Sequence, residues 1–190
     1  MPRMVAGLAG KVGIVRPSPL DYDANMNVDR ILKTFNGHGV EYLLIGGMNF
    51  LLRHTPVVTF DLDLWINDTT ENLRRCERAL AALKAEWGKT EDEWEPVARR
   101  RAGWLESQGV FCLTCPYGAI DIFRRVSGLG DWPASRATAV TARTGTGVPY
   151  LGLSDEDMLR SQQAVPDSEK RRERMRVLKN ALGKNERRTD

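Results

Sequence analysis

Val28, Ile31, Leu32 and Phe35 recur at the spacing of one helix face and stop at Asn36-Gly37, where a left-handed C-cap costs least. Val40 to Ile45 is a short β-prone run cut by Gly46-Gly47, and Met48 to His54 then winds a short helix before Pro56. From Val57 to Ile66 the period changes to two. Phe60, Leu62, Leu64 and Ile66 alternate with Thr59, Asp61, Asp63 and Trp65, as in a strand with two unlike faces. Asp68-Thr69-Thr70-Glu71 has capping-box character and precedes Leu73, Cys76, Leu80 and Leu83, an apolar stripe at helical spacing through Lys84.

Thr90 to Ser107 holds Trp94 and Trp104 among charges, with Pro96 near a first-turn position, and reads as helix or mixed structure. Val110 to Cys115 and Ala119 to Val126 flank the turn signal Pro116-Tyr117-Gly118, a hairpin with Asp121 inside its second strand. The loop Gly128 to Pro133 leads to another strand ending near Leu153, and Ser154 with Asp157 caps a helix over Asp155 to Ala164. Met175, Leu178 and Leu182 mark a last helix ending at Gly183. This pattern makes one domain over 25–185. An irregular leader broken by Pro17-Ser18-Pro19 precedes it over 1–24, and a polar tail follows at 186–190.

At 190 residues the chain is long enough to bury a core unaided. With 28 Lys+Arg against 25 Asp+Glu, a net charge of +3 and 42% hydrophobic residues, it is not a highly charged disordered chain. No apolar run approaches the roughly 18 residues of a membrane span. Met1 to Lys11 lacks the apolar centre of an export signal, and three cysteines do not make a disulfide framework. A cytoplasmic protein is expected.

Asp61 and Asp63 break the local rule. A strand interior disfavours Asp, and two on one face, about 7 Å apart, repel unless something compensates. Asp121, between Ile120 and Ile122 on a second expected strand, joins them if the strands are neighbours. Carboxylate oxygens so grouped suit Mg²⁺, which takes one or two of them plus substrate phosphates. Strand-end acids meeting solvent or pairing with Arg are the alternative. Gly46-Gly47 ends a strand and opens a helix, a turn that admits a phosphate to backbone N–H groups, although a plain tight connection looks the same. Thirteen residues separate Gly47 from Asp61, enough for a short helix and a return strand.

Leu44-Ile45-Gly46-Gly47, Thr59-Phe60-Asp61-Leu62-Asp63-Leu64 and Ile120-Asp121-Ile122 resemble, in order and spacing, the hG[GS], DhD and hDh signature of the polymerase-beta nucleotidyltransferase superfamily. The chain is most similar to its minimal bacterial members, a group that includes toxins of toxin-antitoxin systems. The likeness runs from Val28 to Leu182 and takes in Gly128-Leu129-Gly130-Asp131-Trp132. It implies an α/β (α+β) nucleotidyltransferase fold, a small mixed sheet flanked by helices with C-terminal helices. It implies transfer of a nucleoside monophosphate from an NTP to a hydroxyl of RNA, protein or a small molecule. Asp61, Asp63 and Asp121 would then be catalytic and hold Mg²⁺, as one or two ions. Gly46 and Gly47 would receive the phosphates, and an antitoxin protein would be a partner.

Many members carry an Arg four positions before the first acid and a Lys in the penultimate helix. This chain has Val57 and Gln162-Gln163 there. A phosphate-facing cation then has to come from Arg160, Lys170 or Arg171, with Lys170 taken as the nucleotide-binding residue. The competing reading is a catalytically weakened relative that binds nucleotide or RNA.

Weaker signals are explained by structure. Cys112 and Cys115 point to opposite faces of a strand, so this CxxC makes no tetrahedral set. His38 sits in a solvated turn, and His54 lies near the phosphate turn. The run Glu169 to Arg188 holds nine basic residues against three acids, either a solvated helix face or a guide for RNA phosphates. Arg99-Arg100-Arg101 lies between Trp94 and Trp104, where core anchoring outweighs base stacking.

Overall fold

In the computed structural model of the chain, residues 26–54, 59–166 and 169–186 are described, without the side chains of 91, 169–171 and 184–186. The expected leader at 1–24, Val57 and positions 187–190 of the expected tail lie outside them. The elements run α1 (Val28–Gly37), β1 (Tyr42–Leu44), α2 (Gly46–Arg53), β2 (Asp61–Ile66), α3 (Thr70–Ala82), β3 (Glu86–Trp87) and β4 (Glu95–Pro96). There follow β5 (Val110–Cys115), β6 (Gly118–Phe123), α4 (Trp132–Ala137), β7 (Val140–Arg143), β8 (Pro149–Gly152), α5 (Asp155–Gln163) and α6 (Glu169–Glu186). Four helices start on side-chain caps: Asn27 Oδ1 accepts from Arg30 N, Thr69 Oγ1 from Asn72 N, Asp131 Oδ1 from Ala134 N, and Ser154 Oγ from Asp157 N. Each such cap contributes about 1 kcal/mol.

The strands form one mixed sheet in the order β4-β3-β5-β6-β2-β1-β8-β7. β2 runs parallel to β6 and β1 parallel to β8, and the other pairs are antiparallel. Helices cover both faces. One face sets Leu62, Leu64, Ile66, Ile120 and Ile122 against Ile31, Leu32 and Phe35 of α1 and Leu73, Cys76 and Leu80 of α3. The other sets Leu43, Ile45 and Trp65 against Phe50 of α2, Met158 of α5 and Leu178 of α6. This is the expected α/β class. The register of β2 on β6 pairs Leu62 with Ile120, Asp63 with Asp121, and Leu64 with Ile122. A one-residue slip of β2 would turn Leu62, Leu64 and Ile66, all fully buried, to the opposite face, so the core fixes where the acids lie.

Several expectations change. Gly37 is still helical, and the left-handed residue is Gly39, two positions on. Phe60 precedes the first paired residue of β2 and is 77% exposed, so it does not continue the core face. Residues 90–107 form no α-helix; 3-10 turns at Glu91–Glu93, Val97–Arg99 and Trp104–Ser107 surround β4. Their anchor is aromatic: Trp104 stacks 5.6 Å from Trp87, and both meet Phe111 edge-on. Arg100 lies 4.4 Å over the Trp87 ring and donates to Trp87 O and Glu93 O, so the arginine cluster serves the core edge. The loop after Gly130 contains α4, and a β7–β8 hairpin replaces the single strand expected before Leu153. α6 runs through Gly183 to Glu186, so the expected tail begins inside a helix.

Candidate active site

Asp61 opens β2 and Asp63 follows two residues on, so strand alternation places both on the face opposite Leu62 and Leu64. Parallel pairing sets Asp121 of β6 directly beside Asp63. Each of the three offers a carboxylate oxygen within 4.8 Å of those of the other two. Asp121 is buried and the other two are half-buried. At that separation two full charges repel by roughly 3 to 4 kcal/mol for an effective dielectric near 20. Three together need positive charge beside them.

Oxygens on opposite sides of one Mg²⁺ lie about 4 Å apart, so this triad fits a hard divalent ion with little closure. Two neighbours hold it in shape. The Thr59 hydroxyl donates to Asp61 Oδ1 at 3.0 Å. Gly46 has φ +64°, and a Cβ built on it would stand 1.9 Å from Asp63 Oδ2. The Asp63 carboxylate therefore occupies the volume that any other residue at 46 would fill. The backbone closes the same corner, where Ile45 N donates to Asp63 O at 3.0 Å.

Gly46 and Gly47 form the first turn of α2, and its N-cap, Ile45, supplies no side-chain acceptor to that turn. A Cβ on Gly47 would meet Thr59 Oγ1 at 2.6 Å and Arg174 Nη2 at 3.0 Å. The Thr59 side chain and the Arg174 guanidinium thus close on Gly47 where any side chain would begin. The expected glycine turn and the acids do adjoin.

Arg174, on α6, was not among the cations expected here. Burial lowers the pKa of its guanidinium, and the charges of Asp63 and then Asp61 act against that. It stays protonated, as arginines in proteins do, and its Nε is buried with no hydrogen-bond partner. The signal was present in the sequence. Arg174 lies four residues before Leu178, on the stripe read as the inner face of the last helix, where a charge is out of place.

Arg160 pairs with Asp157, and the side chains of Lys170 and Arg171 fall outside the described residues. His54 does not reach the acids. Its Nε2 is 2.9 Å from Asp155 Oδ1, to which Arg53 Nη2 donates at 2.7 Å, tying the end of α2 to the start of α5. Arg172, Arg176 and Lys179 are exposed, and Arg176 pairs with Glu173. Cys112 and Cys115 face opposite ways, Cys115 into the core. No helix among the described residues is long and apolar enough to cross a membrane.

No family model and no curated protein matches the sequence. Solved structures do resemble it. The lincomycin-bound lincosamide antibiotic adenylyltransferase LnuA matches with TM-score 0.50 and 16% identity over 83% of this chain and 98% of that one. ANT(2")-Ia in complex with adenylyl-2"-tobramycin matches with TM-score 0.51 and 16% identity over 84% of this chain and 89% of that one. The chain shares the fold of these nucleotidyltransferases.

Proposed function

We propose that the protein is a divalent-metal-dependent nucleotidyltransferase that moves a nucleoside monophosphate from an NTP to a hydroxyl group. The observation that carries this reading is the convergence of Asp61, Asp63 and Asp121 within 4.8 Å of one another, beside a helix that opens on two glycines. Supporting it, both structural neighbours are named for adenylyl transfer to antibiotics, or hold its product. Small hydroxylated compounds are accordingly the first acceptor class to test.

In this scheme the first turn of α2 binds the phosphates through its N–H groups and dipole. Asp61, Asp63 and Asp121 would together hold the Mg²⁺. When bound, the ion neutralises charge on the attacking and leaving oxygens. The acceptor oxygen attacks the α-phosphorus, the bond from that phosphorus to the oxygen leading to the β-phosphorus breaks, and pyrophosphate leaves. Asp121, buried beside Asp63, accepts the hydroxyl proton.

The test incubates the protein with each α-labelled NTP, Mg²⁺ and pools of small hydroxylated compounds, RNA or protein. Label should pass to one pool and vanish in Asp61→Asn. Transfer at the wild-type rate by Asp61→Asn would exclude the metal-ligand role, and no transfer to any pool would favour the binding-only reading.

A further inference from the structure

We infer that Arg174 of α6 faces the triphosphate, a phosphate-facing cation beyond those the sequence suggested. The inference rests on the proposed nucleotide site and adds a residue to it. Three observations converge. Arg174 Nη2 stands 3.0 Å from where a Gly47 side chain would begin, over the first turn of α2. The guanidinium also feels the charges of Asp63 and Asp61. Its Nε is buried with no partner, an N–H donor held out of water.

The geometry has a structural cause. Leu178, one turn further along α6, is 1% exposed and packs with Met158, Phe50 and Trp65. Residues four apart share a helix face, so docking Leu178 into that core turns Arg174 toward the sheet end that carries the acids. A planar fork of donors suits a phosphate better than a lysine does. Before nucleotide arrives, the same guanidinium partly neutralises Asp61 and Asp63, and a bare metal ion has to compete with it. With the triphosphate in place it pairs with phosphate oxygens instead.

This predicts effects of opposite sign. Arg174→Met should weaken binding of a non-hydrolysable NTP analogue about tenfold or more. It should also tighten binding of Mn²⁺ to the nucleotide-free protein, by about threefold or more, because a competing cation is gone. Arg174→Lys, which keeps the charge and loses the fork, should fall between in both. Calorimetric titration reads the analogue, and electron paramagnetic resonance reads free Mn²⁺. Unchanged analogue affinity in Arg174→Met overturns the inference, as does equal weakening of analogue and metal, which marks a structural role. If wild type binds no analogue at all, the proposed function itself fails.

Discussion

Gly46→Ala tests whether the glycine turn and the acid cluster form one structure. The residue sits at φ +64°, where an L side chain costs about 1 to 2 kcal/mol. Its new Cβ would lie 1.9 Å from Asp63 Oδ2, 2.7 Å from Cγ and 3.0 Å from Cβ. The carboxylate is the free end of a side chain and can rotate away, but only by leaving the triad. Overpacking of this kind adds about 1 to 3 kcal/mol, so the total is roughly 2 to 5 kcal/mol. In a chain of this size that lowers Tm by about 5 to 15 °C. Urea unfolding measures the loss, and Mn²⁺ titration should show the metal site weakened with it. A double-mutant cycle isolates the contact. With Asp63→Ala as background the oxygen and Cγ are gone, so the penalty of Gly46→Ala should shrink to the backbone part, about 1 to 2 kcal/mol. An equal penalty in both backgrounds would refute the claim that Asp63 occupies the Cβ volume of residue 46.

Other perturbations probe the surroundings. Asp121→Asn removes one of three crowded charges, so the metal-free protein should be at least as stable as wild type, while the rise in Tm on adding Mg²⁺ disappears; an undiminished rise would place metal binding elsewhere. Asp155→Ala leaves Arg53 and His54 without their shared carboxylate and should cost roughly 2 to 4 kcal/mol by urea unfolding. A loss under about 1 kcal/mol would show an ordinary surface pair. Burial, helped by Glu77, raises the Cys76 thiol, and burial raises Cys115. Both should escape iodoacetamide at pH 8 in the folded protein, as read by mass spectrometry. Because the folded thiols hold their protons more tightly, the stability they contribute is present below about pH 8.5 and lost progressively above it.

Much of the architecture was legible because periodicity reports burial directly. Val28, Ile31, Leu32 and Phe35 gave α1, and Leu62, Leu64 and Ile66 gave the core face of β2, because each set has to leave water together. The misreadings have local causes. Phe60 continues the alternation, but pairing starts at Asp61, so its ring stands beyond the ladder. Residues 90–107 carry no period, and their shape comes from Trp87, Trp104 and Phe111, which meet only after folding. α4, at six residues, is too short to show a stripe, although Asp131 as cap to Ala134 N and Pro133 in the first turn were signs of it.

The candidate site was legible for the opposite reason, through residues that contradict their surroundings. Asp61 and Asp63 are poor strand formers at positions the sheet could fill with valine, and nothing within β2 offsets their repulsion. Such a conflict persists in a folded chain only if another element or a ligand resolves it. Arg174 is the same kind of contradiction, a charge on the stripe that buries Leu178, but the two conflicts lie more than a hundred residues apart and neither names the other. Only the docking of α6 beside α2 shows that they meet. Among the described residues Arg174 stands beside a cluster of three carboxylates, a donor set that suits divalent cations. The same crowding of like charge that made the acids conspicuous in sequence is what the proposed metal-dependent reading explains, and the Mg²⁺ and Mn²⁺ titrations above test it directly.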